Sequence, residues 1–244
     1  MVVNRDGRLR LRRGASTGCA LVRVAAREKE LEGAPMNTES ALVEPPVVTV
    51  PLRMTEEEFV AWCDEDTKAE WVDGEIIMPP PANLQHVDLA GFLNFILRGF
   101  ATSRGLGAVY GPELQVRFAS LRRRRVPDLL FVSTERMDIL KTTEVDGVPD
   151  LIVEIVSPDS PARDWREKYL EYEAAGVREY WVVDPMSRRF EGYTLDAEGR
   201  YTLIEEKTGV VHSTVLSGFF LKPAWLWQEP LPNPFALLKE LGVR

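Results

Sequence analysis

Two acidic residues stand inside segments that are otherwise suited to the interior of a β-sheet. One segment reads Val126-Pro127-Asp128-Leu129-Leu130-Phe131-Val132. The other reads Pro149-Asp150-Leu151-Ile152-Val153-Glu154-Ile155-Val156-Ser157-Pro158. Branched and aromatic residues flank Asp128 and Glu154, the composition of strands covered on both faces. A buried carboxylate left alone is costly, so each needs a cation, a hydrogen-bond donor or a metal ion. The chain therefore has to fold so that partners for these acids arrive from elsewhere in the sequence.

The bulk composition narrows the options. With 244 residues and 45% hydrophobic content, the chain suits one domain with appendages and can bury a sizeable core. A net charge of -8 argues against a general nucleic-acid binder, which carries a basic surplus. Cys19 and Cys63 make neither a disulfide framework nor a zinc site, so a reducing cytoplasm is expected. The two histidines, His86 and His212, exclude a histidine-rich metal centre. No apolar run approaches the roughly 20 residues of a membrane span.

Residues 1–46 read as a basic extension, rich in arginine from Arg5 to Arg27 and without a sustained apolar period. A disordered tail, or a true start at Met36, is preferred there to a nucleic-acid-binding arm over residues 1–30. The folded domain is expected over 47–244. Thr55 and Glu58 have capping-box spacing and open a helix, about Thr55–Asp64. Residues 70–78 read as a hairpin turning at Asp73-Gly74. Apolar residues at helical spacing predict a long helix over Leu84–Arg104, ended by Gly105 and Gly107. Val109–Phe118 reads as a strand and Thr142–Val148 as a polar loop. Asp164–Ala175 reads as a helix stopped by Gly176. Buried strand follows at 180–183, then a hairpin about Asp196–Gly199, strands at Val210–Leu216 and Phe219–Leu221, and a short C-terminal helix. The order is a mixed α/β (α+β) core with extra hairpins at both ends. Those late hairpins and Trp225-Leu226-Trp227 offer apolar surface to a homodimer.

The chemistry these residues suggest is that of a hard divalent cation. Asp128 and Glu154 from neighbouring strands, with the carbonyl of Ile155, would supply its oxygen ligands. Such an ion polarises a phosphodiester and activates water. Lys168 shares a helix face with Asp164 and Tyr172 and is placed to offset charge on a phosphate. The competing reading of Lys168 is an exposed ion pair, and that of the acids is pairing with arginine. His86 is a metal or phosphate contact, or a capping or surface group. Glu70 is a third acid at the site or an exposed hairpin residue. Arg122, Arg123, Arg124 and Arg125 form a solvated loop, or contact nucleic-acid phosphates ahead of the metal-binding strand.

These residues together resemble the Uma-two family of bacterial proteins, in the restriction-endonuclease-like group with the PD-(D/E)xK pattern. The resemblance covers about Thr55–Leu221. It rests on Glu70-Trp71-Val72-Asp73-Gly74-Glu75, His86, Val126-Pro127-Asp128, Pro149–Pro158, and Asp164, Lys168, Tyr172, Gly176-Val177 and Glu179 through Pro185. It implies a restriction-endonuclease-like core: a mixed β-sheet flanked by helices, with 84–104 as its first helix. It also implies a magnesium- or manganese-dependent endonuclease acting on DNA. Asp128 then stands for the first acid, Glu154 for the second and Lys168 for the lysine. Val156 occupies the position where the wider group carries its lysine. The rival is a nuclease-derived binding or regulatory module without cleavage.

Overall fold

The computed structural model of the chain describes residues 53–63, 67–79, 83–157 and 163–243, with short backbone strands at Val2–Val3, Leu9–Arg10, Cys19–Leu21 and Thr49–Pro51 ahead of them. Apart from the first three of those strands, the extension expected over 1–46 lies outside the described residues. Asp64, the expected end of the first helix, also lies outside them.

Local signals form the elements that frame the site. Helix α1 (Glu56–Trp62) opens on a reciprocal cap: Thr55 Oγ1 accepts from the Glu58 amide, and the Glu58 carboxylate accepts from the Thr55 amide. Strands β1 (Glu70–Val72) and β2 (Glu75–Ile77) form the expected hairpin. Its turn places Asp73 and Gly74 at φ 49° and 91°, the pair of positive values such a turn demands. Helix α2 (Leu84–Arg104) is capped by Asn83 and closed by a left-handed Gly105. Its buried stripe contains Leu89, Leu93, Ile96, Leu97 and Phe100, as the spacing predicts.

Two sheets follow. Strands β3 (Gly107–Tyr110), β4 (Gln115–Phe118), β5 (Arg123–Arg125), β6 (Leu129–Ser133), β7 (Glu144–Asp146) and β8 (Leu151–Ile155) precede helix α3 (Lys168–Ala175). Strands β9 (Glu179–Asp184), β10 (Arg189–Leu195) and β11 (Tyr201–Leu203) come after it. The six-stranded sheet has the order β11-β10-β9-β8-β6-β3, and the five-stranded sheet the order β7-β4-β5-β1-β2. In the larger sheet only β8 and β9 run parallel. Parallel neighbours need a crossover, and α3 supplies it. A small pair, β12 (Val211–His212) and β13 (Phe220–Leu221), and helix α4 (Pro234–Glu240) complete the chain. No helix among the described residues is long and apolar enough to cross a membrane.

Strand alternation divides the interior. Leu151, Val153 and Ile155 join one core with α2, Trp225 and Leu226. Ile152 and Val156 face the other core, with Val116, Phe118 and Tyr172. Glu154 lies in phase with this second set, on the side covered by α3 and the smaller sheet.

Several expectations change. The predicted strand over 109–118 is two strands in different sheets. The loop expected at 142–148 contains β7, which pairs with β4. The run 122–125 is mainly a strand, β5, and Arg124 and Arg125 are buried. The strand expected at 210–216 shortens to β12. Trp225 and Leu226, expected as apolar surface, pack into the α2 core.

A methyl group on Gly107 would stand 2.1 Å from the Val132 carbonyl oxygen, at φ 150°. Gly107→Ala is expected to cost about 3 kcal/mol in denaturant unfolding. Gly105→Ala, whose methyl would meet open space, should cost about 1 kcal/mol. Equal losses at the two positions would refute the close-approach account.

Candidate active site

Strand register sets the first two residues. Leu129 stands opposite Val153 in the β6–β8 pair. Continued by one residue, that register brings Asp128 across from Glu154. Asp128 Oδ2 accepts the Ile155 amide at 2.7 Å, so this carboxylate rests on the peptide that joins Glu154 to Ile155. The expected contribution of Ile155 was its carbonyl, and the bond seen here uses its N–H.

Helix α3 supplies the partners that a buried Glu154 requires. Lys168 Nζ donates to Glu154 Oε2 at 2.8 Å, and the Tyr172 hydroxyl donates to Oε1 at 2.7 Å. All three side chains are buried. Burial, followed by the charges of Glu154 and Glu70, pushes the Tyr172 phenol well above its ordinary value. It therefore stays protonated and serves as a donor. Lysine and tyrosine at i and i+4 point along one helix face, and the crossover lays that face over Glu154. The exposed ion pair considered for Lys168 is thus replaced by a buried one. The side chain of Asp164 lies outside the described residues.

Glu70 enters from the other sheet. It is buried, not an exposed hairpin residue. Oε2 accepts from Arg125 Nη1 at 2.7 Å, and Oε1 accepts from the Val126 amide at 3.2 Å. Lys168 Nζ lies 4.0 Å from Oε1. Burial pushes the Glu70 carboxyl up, but the charges of Lys168 and Arg125 outweigh it and hold the group below its usual range. Arg125 in turn grips Glu171 with a fork: Nε to Oε2 at 2.8 Å and Nη2 to Oε1 at 2.7 Å. Burial disfavours the charge on Arg125, yet Glu70 and Glu171 reverse that effect and keep it protonated.

His86 joins from the first turn of α2. Its Nε2 lies 2.9 Å from Asp128 Oδ1. A carboxylate oxygen accepts, so the ring is assigned with its proton on Nε2. Asn83 caps the His86 amide, which leaves the imidazole to reach the site. The side chains of Asp128 and His86 keep 14% and 17% exposure, so this end of the cluster opens to solvent.

Asp128 and Glu154 offer the hard oxygen donors that suit magnesium or manganese. Such ions bind through one or two carboxylates and keep several waters. The donor chemistry fits. Among the described residues no group of three His, Cys, Asp or Glu side chains surrounds one ion position. Glu70, committed to Arg125 and Val126, is not a third ligand in this arrangement.

The arginine run does not form a phosphate-binding loop. Arg124 is buried against Glu56, Gln115 and Glu144, and Arg125 against Glu70 and Glu171. Arg123 is largely covered, pairing with Asp73 and Glu171. Arg122 alone of the four keeps a mostly exposed side chain. Two members of the cluster escape sequence reasoning as participants, Tyr172 as a donor and Glu171 as the anchor of Arg125. Their signal is the spacing Lys168, Glu171, Tyr172 (i, i+3, i+4) on a single face.

A model of the Uma2 family, described as "Putative restriction endonuclease", matches residues 56–224. A crystal structure described as a putative nuclease belonging to DUF820, from Anabaena variabilis ATCC 29413, aligns with a TM-score of 0.60. It is 19% identical, and the alignment covers 71% of this chain and 97% of that one. At that identity the likeness establishes the fold: mixed sheets flanked by helices. No curated protein matches the chain.

The depressed Glu70 carboxyl fixes a sign. Its stabilising charge is fully present above the ordinary value near 4.5 and is lost as pH falls through the lower folded value. Glu70→Gln should therefore be less stable than the parent near neutral pH, with the gap narrowing in acid below about 4.5. Urea unfolding across that range measures it. A gap that stays constant with pH would mean that Glu70 does not act through its charge.

Proposed function

The chain belongs to the Uma2 family, and on that premise we propose that it is a metal-dependent endonuclease hydrolysing phosphodiester bonds of DNA. One observation carries the reading: Asp128 from just before β6, Glu154 from β8 and Lys168 from α3 come together at one partly open cluster. Asp128 and Glu154 would hold the divalent ion, with the Ile155 carbonyl beside them. Bound there, magnesium or manganese supplies Lewis acidity toward the phosphate and lowers the pKa of a water ligand.

The protein's own residues do the remaining work. Lys168 keeps its ammonium between Glu154 and Glu70, where it offsets negative charge that builds on a phosphate. The lysine arrives from helix α3, and position 156 holds a valine buried in the apolar core. Tyr172 holds the second oxygen of Glu154 and so fixes the carboxylate's orientation. His86 orients Asp128 from the solvent side. Of the arginine run, Arg122 retains the exposure needed to meet a DNA strand.

A second reading has one observation in its favour. Both oxygens of Glu154 already receive hydrogen bonds from Lys168 and Tyr172, so protein donors compensate its charge. A nuclease-derived module that binds or regulates without cleaving would need nothing more.

Asp128→Asn keeps the size of the side chain and one acceptor oxygen for the Ile155 amide but removes a charge. Cleavage of plasmid DNA at saturating magnesium is expected to fall roughly a hundredfold or more, with the circular dichroism unchanged. Cleavage at the parent's rate would end the assignment. Calorimetric titration of the parent with magnesium or manganese separates the two readings, since a non-cleaving module takes up neither.

A further inference from the structure

We propose that Arg125, anchored by Glu171, is the positioning residue of this site: it fixes where Lys168 and Asp128 stand. The inference rests on the nuclease reading for its catalytic consequence, and on geometry for its mechanical part.

The geometry has three strands of argument. First, Arg125 is fully buried, and its planar guanidinium is spent in two directions. The Nε and Nη2 edge binds both oxygens of Glu171, while Nη1 binds Glu70. A planar fork held at both edges has little freedom, and an ammonium cannot reproduce that pattern. Second, the clamp on Glu70 Oε2 turns Oε1 toward Lys168, whose Nζ lies 4.0 Å away. Lys168 is thereby drawn to a point between Glu70 and Glu154. Third, Glu70 Oε1 also accepts from the Val126 amide, two residues ahead of Asp128. The backbone that delivers Asp128 to the Ile155 amide is thus tied to the same carboxylate.

Glu171 closes the loop mechanically. It lies three residues after Lys168 on α3, so the fork that holds Glu171 also sets the helix rotation that presents Lys168 and Tyr172. Arg123 adds a weaker bond to the same carboxylate, from Nε to Glu171 Oε1 at 3.3 Å. The burial of Arg125 excludes it from direct contact with a substrate. Its side chain acts through its bonds to Glu70 and Glu171.

Deleting Arg125 would strand two carboxylates and risks unfolding the chain. Glu171→Gln is the gentler test, because that side chain is partly exposed and the amide keeps its shape. Two measurements are made on the full chain with magnesium. One is plasmid cleavage, where kcat should fall roughly tenfold to a hundredfold with KM little changed. The other is the nitrogen-15 resonance of the Lys168 ammonium, assigned by its loss in Lys168→Met. It should shift or broaden in Glu171→Gln while backbone amides away from α3 and β5 keep their positions. Arg125→Lys should reproduce both effects, because it restores charge without the fork. An unmoved ammonium resonance with kcat at the parent level would overturn the proposal. If the parent cleaves no DNA but the resonance moves in Glu171→Gln, the nuclease reading falls and the positioning role of Arg125 stands. If cleavage is normal in the parent and equally normal in Glu171→Gln, the positioning role falls and the nuclease reading stands.

Discussion

The ion pair between Lys168 and Glu154 is the contact around which the rest of the site is arranged. Glu154 occupies a strand buried on both faces, where an unpaired charge would not be tolerated. A buried pair of this kind is no stability device, since well-packed apolar side chains of similar volume often do as well or better. The chain nevertheless keeps the acid and recruits two donors to it. That choice is economical only if the carboxylate is needed for something other than folding. The parallel β8–β9 pairing makes the recruitment possible, because its crossover must lay a helix over the face that Glu154 occupies.

Burial of an acid in a strand does not by itself mark a functional site. Asp150, at the start of β8, is equally hidden. It binds the Ser133 amide, Arg136 and Arg178, and despite burial the bonds from Ser133 and Arg136 hold its carboxyl below the usual range. Its position joins the β6 end to the β8 entry, which is a structural task. Glu179 in β9 is also buried, and accepts from Trp181 Nε1, Ser213, Thr214 and the Val215 amide. These are neutral donors, so burial prevails and pushes its carboxyl up. What distinguishes Glu154 is its neighbourhood: a lysine, a tyrosine and a second acid facing the open end of a sheet.

That distinction marks how far the sequence could be read. Elements governed by neighbours in the chain were legible: the Thr55 cap, the Asp73-Gly74 turn, the stripe of α2 and the stop at Gly176. Lys168 could be named as a candidate for the same site as Glu154, but its buried ion pair with that acid is visible only once the crossover lays α3 over β8. Glu70 and His86 could be named as candidates but not placed. Their roles depend on a contact 55 residues away in one case and 42 in the other. The arginine run was misread for the same reason. Four consecutive charges look solvated until carboxylates from α1, β1, β7 and α3 are brought to them.

Strand periodicity explains how β5 can be a strand at all. Side chains alternate between faces, so Arg123 and Arg125 point one way and Arg124 the other. Arg123 and Arg125 both reach Glu171 on α3. Arg124 reaches Glu56 on α1 and Glu144 on β7 from the opposite face. A strand of arginines is thus stable where each face offers carboxylates at the matching spacing. The smaller sheet is accordingly held to its surroundings by charge on both sides of its middle strand, in addition to the apolar contacts of Val116, Phe118 and Val145. The candidate site shares in this arrangement. Arg125 holds Glu70 at the candidate site from one edge of its planar guanidinium and Glu171 from the other.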